Sequence, residues 1–302
     1  MTDTAIILLI LAAILHAGWN LLGKSEAPST AFFFLANTAG FFVLAPSVIL
    51  YPFVFSFFSL KIWVYVLLTG IFQAVYYAGL AAAYRMGEMS VVYPLLRSLP
   101  VLSVAIITSV FDLGAKLGMD GVFGMVMVVV GCMLLPMKRL NEITLTNYGN
   151  KATLYSLIAA TGTTGYSIID DATLRALREN AGSISTIPQV TALYAFFEGV
   201  SASLFLLMFV LLERHRRQEL KQTISRQKAR AAITGVIIYV AYTLVLISMS
   251  YVTNVSYVVA FRQLSIPIGV SIAIVLLKEK AYAPKLTGTL LMFTGLVLIG
   301  ME

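Results

Sequence analysis

Charged residues are scarce in this chain. Of its 302 residues only 12% are charged, whereas 59% are hydrophobic, and the mean hydropathy is +0.90. Soluble domains carry about 25% charged residues, so the composition excludes an ordinary soluble protein and predicts a polytopic membrane protein. The net charge of +7 requires no nucleic-acid partner, because basic loops are expected beside a membrane.

Residues and motifs for covalent chemistry are also missing. The single cysteine, Cys132, excludes an intrachain disulfide. The chain has two histidines and no His-Glu-x-x-His, Gly-x-Ser-x-Gly or Gly-x-x-x-x-Gly-Lys-Ser/Thr motif. We therefore expect neither an enzyme nor a transporter driven directly by ATP, and we expect no cofactor and no bound metal.

Long apolar runs, by contrast, fill most of the chain. Ten of them are long enough to cross about 30 Å of hydrocarbon as helices. They cover residues 4–23, 30–50, 61–84, 89–110, 119–137, 151–171, 188–212, 229–250, 254–277 and 283–300. The predicted fold class is therefore an all-α polytopic membrane protein with ten transmembrane helices. The longest polar stretch, residues 213–230, is expected to be a loop.

The two halves of the chain resemble each other. At a shift of 167 residues four pairs align: Tyr84 with Tyr251, Pro100 with Pro267, Asp112 with Glu279 and Gly121 with Gly288. Five helices per half is an odd number, so the second half must insert with the opposite orientation, as in transporters with inverted repeats. The sequence predicts two inverted five-helix repeats, residues 1–145 and 146–302, within a single membrane domain.

The basic residues predict an orientation. Of the 21 lysines and arginines, 15 lie in the first, third, fifth, seventh and ninth predicted loops and 4 in the other loops. The remaining two, Arg97 and Arg262, lie within spans. The positive-inside rule places the richer set in the cytoplasm and both termini outside.

A polar stripe runs along the first apolar segment. His16, Asn20 and Lys24 are spaced to share one helix face, and Trp19 lies beside them. At a shift of 147 residues these four align with Thr163, Ser167, Asp171 and Tyr166. Polar side chains are costly against lipid, so both stripes are predicted to line a cavity. The alternative is that a polar residue such as His16 only fixes packing by a hydrogen bond to a neighbouring helix.

This pattern resembles the drug/metabolite transporter superfamily, and specifically its EamA-type transporters. The resemblance covers nearly the whole chain. It rests on ten helices in two halves, on the segment His16-Ala17-Gly18-Trp19-Asn20, and on Leu277-Lys278-Glu279-Lys280 followed by Gly288 and Gly295. It implies translocation of a small-molecule substrate by alternating access, without covalent chemistry. Members of the superfamily are generally drawn with cytoplasmic termini, opposite to the orientation that the basic residues predict.

Two arginines occupy corresponding depths in the two halves. Arg97 and Arg262 fall inside the predicted fourth and ninth helices. A charge at mid-membrane costs at least about 2.5 kcal/mol, so the matched pair predicts a shared role in a wet cavity, where each arginine binds a carboxylate or phosphate. Alternatively, each snorkels to the interface or pairs with an internal acid such as Asp170 or Glu198.

Tyrosines and acids complete the candidate site. Tyr76, Tyr77 and Tyr242 are predicted to lie deep in their helices and to suit a small organic solute. Asp171 and Glu198 are candidates for proton coupling, since apolar surroundings favour the protonated form of a carboxyl group. The alternative for Glu198 is a hydrogen bond that joins two helices. The predicted substrate-binding residues are His16, Trp19, Asn20, Tyr76, Tyr77, Arg97, Tyr166, Ser167, Tyr242 and Arg262.

We expect a secondary transporter of the bacterial inner membrane, surrounded by lipid, that moves a small anionic or zwitterionic metabolite such as an amino acid or organic acid. Export is the expected direction. One alternative is a proton-coupled exporter of drugs or organic cations that uses Glu198 or Asp171. Another is a membrane scaffold or receptor that transports nothing. The sequence leaves open whether the protein forms a homodimer.

Overall fold

The computed structural model describes residues 1–23, 29–86, 89–139, 150–275, 278 and 280–302, with side chains except at residues 19–23, 89–91 and 93–94. In these ranges the chain forms helices and contains no β-strand. The predicted all-α class is therefore confirmed.

Among the described residues, the α-helices come in the following order along the chain. They are α1 (Asp3–Gly23), α2 (Thr30–Phe42), α3 (Pro46–Leu50), α4 (Leu60–Met86), α5 (Met89–Val110), α6 (Met119–Leu134), α7 (Lys151–Ala181), α8 (Ile187–Leu212), α9 (Arg214–Arg226), α10 (Lys228–Ser248), α11 (Val255–Phe261), α12 (Ser265–Val275) and α13 (Ala283–Met301). Short 3₁₀ helices lie at Pro52–Phe57, Met249–Tyr251 and Arg262–Leu264.

Many of these helices have the length and composition of membrane spans. Six segments qualify: Thr30–Leu50, Leu60–Met86, Ile187–Leu212, Lys228–Tyr251, Val255–Val275 and Ala283–Met301. Three shorter apolar helices, Asp3–Gly18, Leu95–Val110 and Met119–Leu134, accompany them. They fit a membrane protein. Most end within a few residues of the predicted spans, because apolar length and breaks at Gly and Pro determine both.

Three segments differ from their predicted form. Helix α7 continues to Ala181, ten residues past the predicted end at 171, because residues 172–181 contain neither Gly nor Pro and Gly182 ends the helix with φ +53°. The polar stretch predicted as a loop forms α9. The predicted span 254–277 contains the 3₁₀ turn Arg262–Leu264; Pro267 supplies a reason, since its ring displaces the carbonyl four residues earlier, that of Gln263.

Close helix crossings hold the bundle together. Among the described residues, α4 packs most extensively along α7, and α6 along α13. Gly124 and Gly131 of α6 face Gly295 and Gly288 of α13. A Cβ atom added at any of the four would lie 2.5 or 2.6 Å from the carbonyl oxygen of the opposing glycine. Small residues are therefore required where these two helices cross.

The larger apolar core ends where a cavity begins. Its fully buried members include Val101, Leu174, Leu193 and Val258, contributed by α5, α7, α8 and α11. Its edge includes Ala12, Ala13 and Val245, which are also cavity residues. The core and the cavity therefore share residues of α1 and α10.

Candidate functional site

A cavity of about 60 Å³ lies inside the helix bundle. It is lined by side chains from α1, α2, α4, α5, α7, α10 and the 3₁₀ turn after α11. The polar and aromatic ones are His16, Phe33, Gln73, Tyr76, Tyr77, Arg97, Tyr166, Tyr239, Tyr242 and Arg262. One water needs about 10–15 Å³, so the cavity holds several waters or a solute of a few atoms. A second cavity of about 50 Å³ shares His16, Arg97 and Arg262 with the first.

Arg262 enters the cavity from the 3₁₀ turn between α11 and α12. Its Nη2 donates to the hydroxyl of Tyr166 at 3.4 Å, and its guanidinium carbon lies 5.3 Å from the ring centroid of Tyr242. Its Nη1 is buried and has no hydrogen-bond partner among the described residues. Part of a permanently charged, fork-shaped donor is therefore available to an anion.

Arg97 reaches the same space from α5. Its Nη2 donates to Ser265 Oγ at 3.1 Å, and Ser265 is the first residue of α12, next to the turn that carries Arg262. The two arginines thus come from the two halves of the chain and border both cavities. Within the described ranges, Arg262 forms no ion pair with Asp170 or Glu198, contrary to the pairing considered above as an alternative.

Tyrosine rings form a continuous wall. The ring centroids of Tyr76 and Tyr77 lie 5.0 Å apart, those of Tyr76 and Tyr166 lie 5.9 Å apart, and those of Tyr166 and Tyr242 lie 5.8 Å apart. The last two contacts are edge-on, a favoured arrangement for aromatic pairs. Tyr239, which the sequence analysis left out of the site, also lines the cavity and donates to Asn37 Oδ1 at 2.9 Å. Tyr239 precedes Tyr242 by three residues, so the two share one helix face, and this spacing could have identified Tyr239 from the sequence.

The adjacent aspartates occupy different surroundings. Asp170 is fully buried, and its carboxylate accepts hydrogen bonds from Thr69 (2.5 Å), Tyr194 (2.6 Å) and Tyr242. It therefore lies directly behind the cavity wall. Asp171, the candidate for proton coupling named above, pairs instead with Arg175 on its own helix at 2.8 Å. Successive helical side chains point about 100° apart, so the rotation of α7 turns Asp170, and not Asp171, toward the cavity.

Glu198 is also one side chain away from the cavity. It is fully buried on α8, and Gln73, a cavity residue, donates to its Oε1. Its Oε2 has no hydrogen-bond partner among the described residues. Gln73 was not among the predicted site residues, although a lone amide in the apolar run of α4 was a usable signal.

The predicted stripes are partly brought together. His16 of α1 and Thr163 and Tyr166 of α7 line the second cavity. Ser167 is fully buried, has no hydrogen-bond partner within the described ranges, and is not a lining residue of either cavity. The side chains of Trp19 and Asn20, and the whole of Lys24 and Glu279, lie outside the described residues.

Comparisons with known proteins give a fold and no function. No protein-family model matches the chain, and no curated protein matches it. Chains of solved structure do match, 25 in number. One, described only as "Crystal structure of protein", has 16% sequence identity and a TM-score of 0.69, with 100% of this chain and 98% of that chain covered. The chain therefore shares its whole fold with a protein of known structure.

Proposed function

We propose that this protein is a secondary transporter of a small anionic or zwitterionic metabolite, and that it works as an exporter by alternating access. The observation that carries the proposal is the buried guanidinium of Arg262 in a cavity with no Asp or Glu among its described lining residues. Such a cation is expensive unless an anion accompanies it. A substrate carboxylate or phosphate meets that need and accepts two parallel hydrogen bonds from the fork.

Corresponding contacts in the two halves support an inverted repeat. Gly70 of α4 lies against Ser201 of α8, and Gly235 of α10 lies against Ala36 of α2. Each residue of the first pair differs by 165 in number from its counterpart in the second, and the same difference relates Arg97 to Arg262. The shift of 165 therefore relates an α4–α8 contact to an α10–α2 contact, and one cavity arginine to the other.

Helix packing follows the same correspondence. Let α1, α2, α4, α5 and α6 correspond in order to α7, α8, α10, α11 with α12, and α13. Packing of α4 on α7 then matches α10 on α1, packing of α4 on α8 matches α10 on α2, and packing of α5 on α7 matches α12 on α1. The pairs α6–α13 and α2–α8 map onto themselves. Together with α7, the nine apolar segments make the ten spans that we propose.

Two buried acids suit different roles in a coupled cycle. Asp170 accepts three hydroxyl donors over both of its oxygens, which is the pattern of an ionised, acceptor-only carboxylate. It contacts the cavity through Tyr242, whose ring also faces Arg262, and so balances part of the arginine's charge without occupying any of its hydrogen-bond donors.

Glu198 has the opposite pattern. A bare buried carboxylate oxygen is costly, so a proton on Oε2 gives the less costly state. Gln73, its hydrogen-bond donor, borders the cavity, so a rotation of this one side chain would bring cavity water to the carboxyl group. We propose Glu198 as the site that exchanges a proton during transport.

Binding and flux measurements test the proposal. Purified protein is screened by thermal unfolding against small carboxylates, phosphates, amino acids and permanent organic cations, because a ligand of the folded state raises the melting temperature. Flux of any ligand found is then measured in proteoliposomes. Arg262→Lys keeps a charge but loses the fork; the loss of one charge-assisted hydrogen bond, about 1.5–3 kcal/mol, weakens binding roughly 10- to 150-fold.

Arg85→Lys is the matched control, since the Arg85 side chain is 42% exposed, pairs with Glu219 on α9 and lines neither cavity. It should bind and transport as the wild type does. If only permanent cations bind, or if Arg262→Ala transports normally, the arginines are structural and the organic-cation exporter becomes the better candidate. If no ligand crosses the membrane, the scaffold or receptor alternative gains.

A further inference from the structure

Helix α9 joins two candidate membrane spans almost directly. One residue, Glu213, separates it from α8, and one residue, Gln227, separates it from α10. Glu213 is extended (φ −116°, ψ 129°), so the chain turns there and α9 does not prolong α8. Helices α8, α9 and α10 all pack against α2. Helix α9 therefore connects the end of α8 to the start of α10 beside α2, and it would lie at the surface of a membrane crossed by these spans.

Specific contacts hold the inner side of α9 in place. Glu219 pairs with Arg85 at the end of α4 (3.1 Å) and with His215 one turn earlier (3.1 Å). Arg216 donates to the carbonyl oxygen of Phe209 in α8 at 3.3 Å, and Thr223 is buried. These contacts set the rotation of the helix and so decide which side chains point outward.

The outward face is basic and borders an apolar strip. Arg214, Arg217 and Lys221 are exposed and share one face of the helix at i, i+3 and i+7. Leu220 and Ile224, which is 47% exposed, lie beside them at i and i+4. A helix at the membrane surface with adjoining basic and apolar strips has the composition of an interfacial helix. Residues 214–230 hold seven of the 21 Lys and Arg residues and one acid.

We propose that the outer face of α9 binds the phosphate headgroups of anionic membrane lipids, with Leu220 and Ile224 against the upper acyl chains. The position of α9 favours lipid as the ligand of this face, because the helix is attached to two candidate membrane spans and cannot leave the membrane surface. Attraction of a basic residue to an anionic leaflet is worth about 1 kcal/mol, which corresponds to roughly fivefold in affinity per residue. The proposal is independent of what the cavity transports.

The test compares two charge-matched double variants of the full chain in neutral detergent. R217Q/K221Q changes α9, and K61Q/K116Q removes two exposed lysines elsewhere. Thermal unfolding is followed while phosphatidylglycerol, phosphatidylcholine or inorganic phosphate is added. Phosphatidylglycerol should stabilise the wild type and K61Q/K116Q equally. R217Q/K221Q should need on the order of 25-fold more of it, and the difference should shrink in high salt.

Three results would overturn the proposal. Equal stabilisation by phosphatidylcholine removes the requirement for an anionic headgroup. If both double variants lose the same amount of stabilisation by phosphatidylglycerol, the effect depends only on the net charge of the protein. If inorganic phosphate stabilises the protein as much as phosphatidylglycerol does, the face binds simple anions and requires no lipid. If R217Q/K221Q melts earlier without lipid, the single variant R214Q is compared with K61Q, and about fivefold weaker lipid stabilisation is then expected for R214Q.

Discussion

The paired glycine contacts give a direct test of the inverted repeat. A methyl group at Gly70 would lie 2.6 Å from Cβ and 2.8 Å from the carbonyl carbon of Ser201, and one at Gly235 would lie 2.6 Å from the carbonyl carbon of Ala36. Carbon atoms normally approach to about 3.5–4.0 Å, so each helix pair must separate by roughly 1 Å. Overpacking of this kind costs about 1–3 kcal/mol. Gly70→Ala and Gly235→Ala should each lower the free energy of unfolding by that amount.

A third glycine supplies the control. A methyl group at Gly269, inside α12, would have no neighbour within 4 Å. Gly269→Ala should therefore be neutral or stabilise the protein by up to about 1 kcal/mol, since alanine favours the helix interior. Unfolding of the three purified variants in mixed micelles, followed by tyrosine and tryptophan fluorescence, measures the differences.

The two tight sites must behave alike for the reasoning to stand. Wild-type stability of both Gly70→Ala and Gly235→Ala would show that these crossings relax without cost. A clear loss at one site and none at the other would refute the equivalence of the two halves. A loss at Gly269→Ala as large as at the others would show that the assay does not report helix crossing.

Three further predictions concern transport and topology. Arg97→Ala should abolish flux of the identified substrate in proteoliposomes while the folded protein still elutes as a single species from size-exclusion chromatography, because the substrate anion loses one of two cations. Glu198→Gln should remove the stimulation of transport by a proton gradient but keep substrate exchange, whereas Asp171→Asn should keep both; gradient-driven flux in Glu198→Gln contradicts the proton assignment. An impermeant thiol reagent added to intact cells should label a cysteine placed at Asp3 and not one placed at Gln222. Labelling at Gln222 alone would reverse the orientation given by the basic residues.

The sequence by itself determined where most of the apolar helices begin and end. Apolar length and the positions of Gly and Pro act over a few residues of chain, so α4 and α8 begin and end within two residues of the predicted spans. Burying charge in an apolar environment is costly wherever the helix lies, and for that reason Arg97 and Arg262 were recognisable as cavity residues from their position in the chain. Composition excluded an ordinary soluble protein on the same physical ground.

The tertiary structure decided which side chains meet. Asp170 and Asp171 are equivalent in sequence, and the rotation of α7 against α4 and α10 places one behind Tyr242 and the other against Arg175. The hydrogen bond of Gln73 to Glu198 joins helices far apart in the chain. Such contacts depend on the rotation and crossing of whole helices. Many side chains jointly set that packing, and no local pattern of residues encodes it.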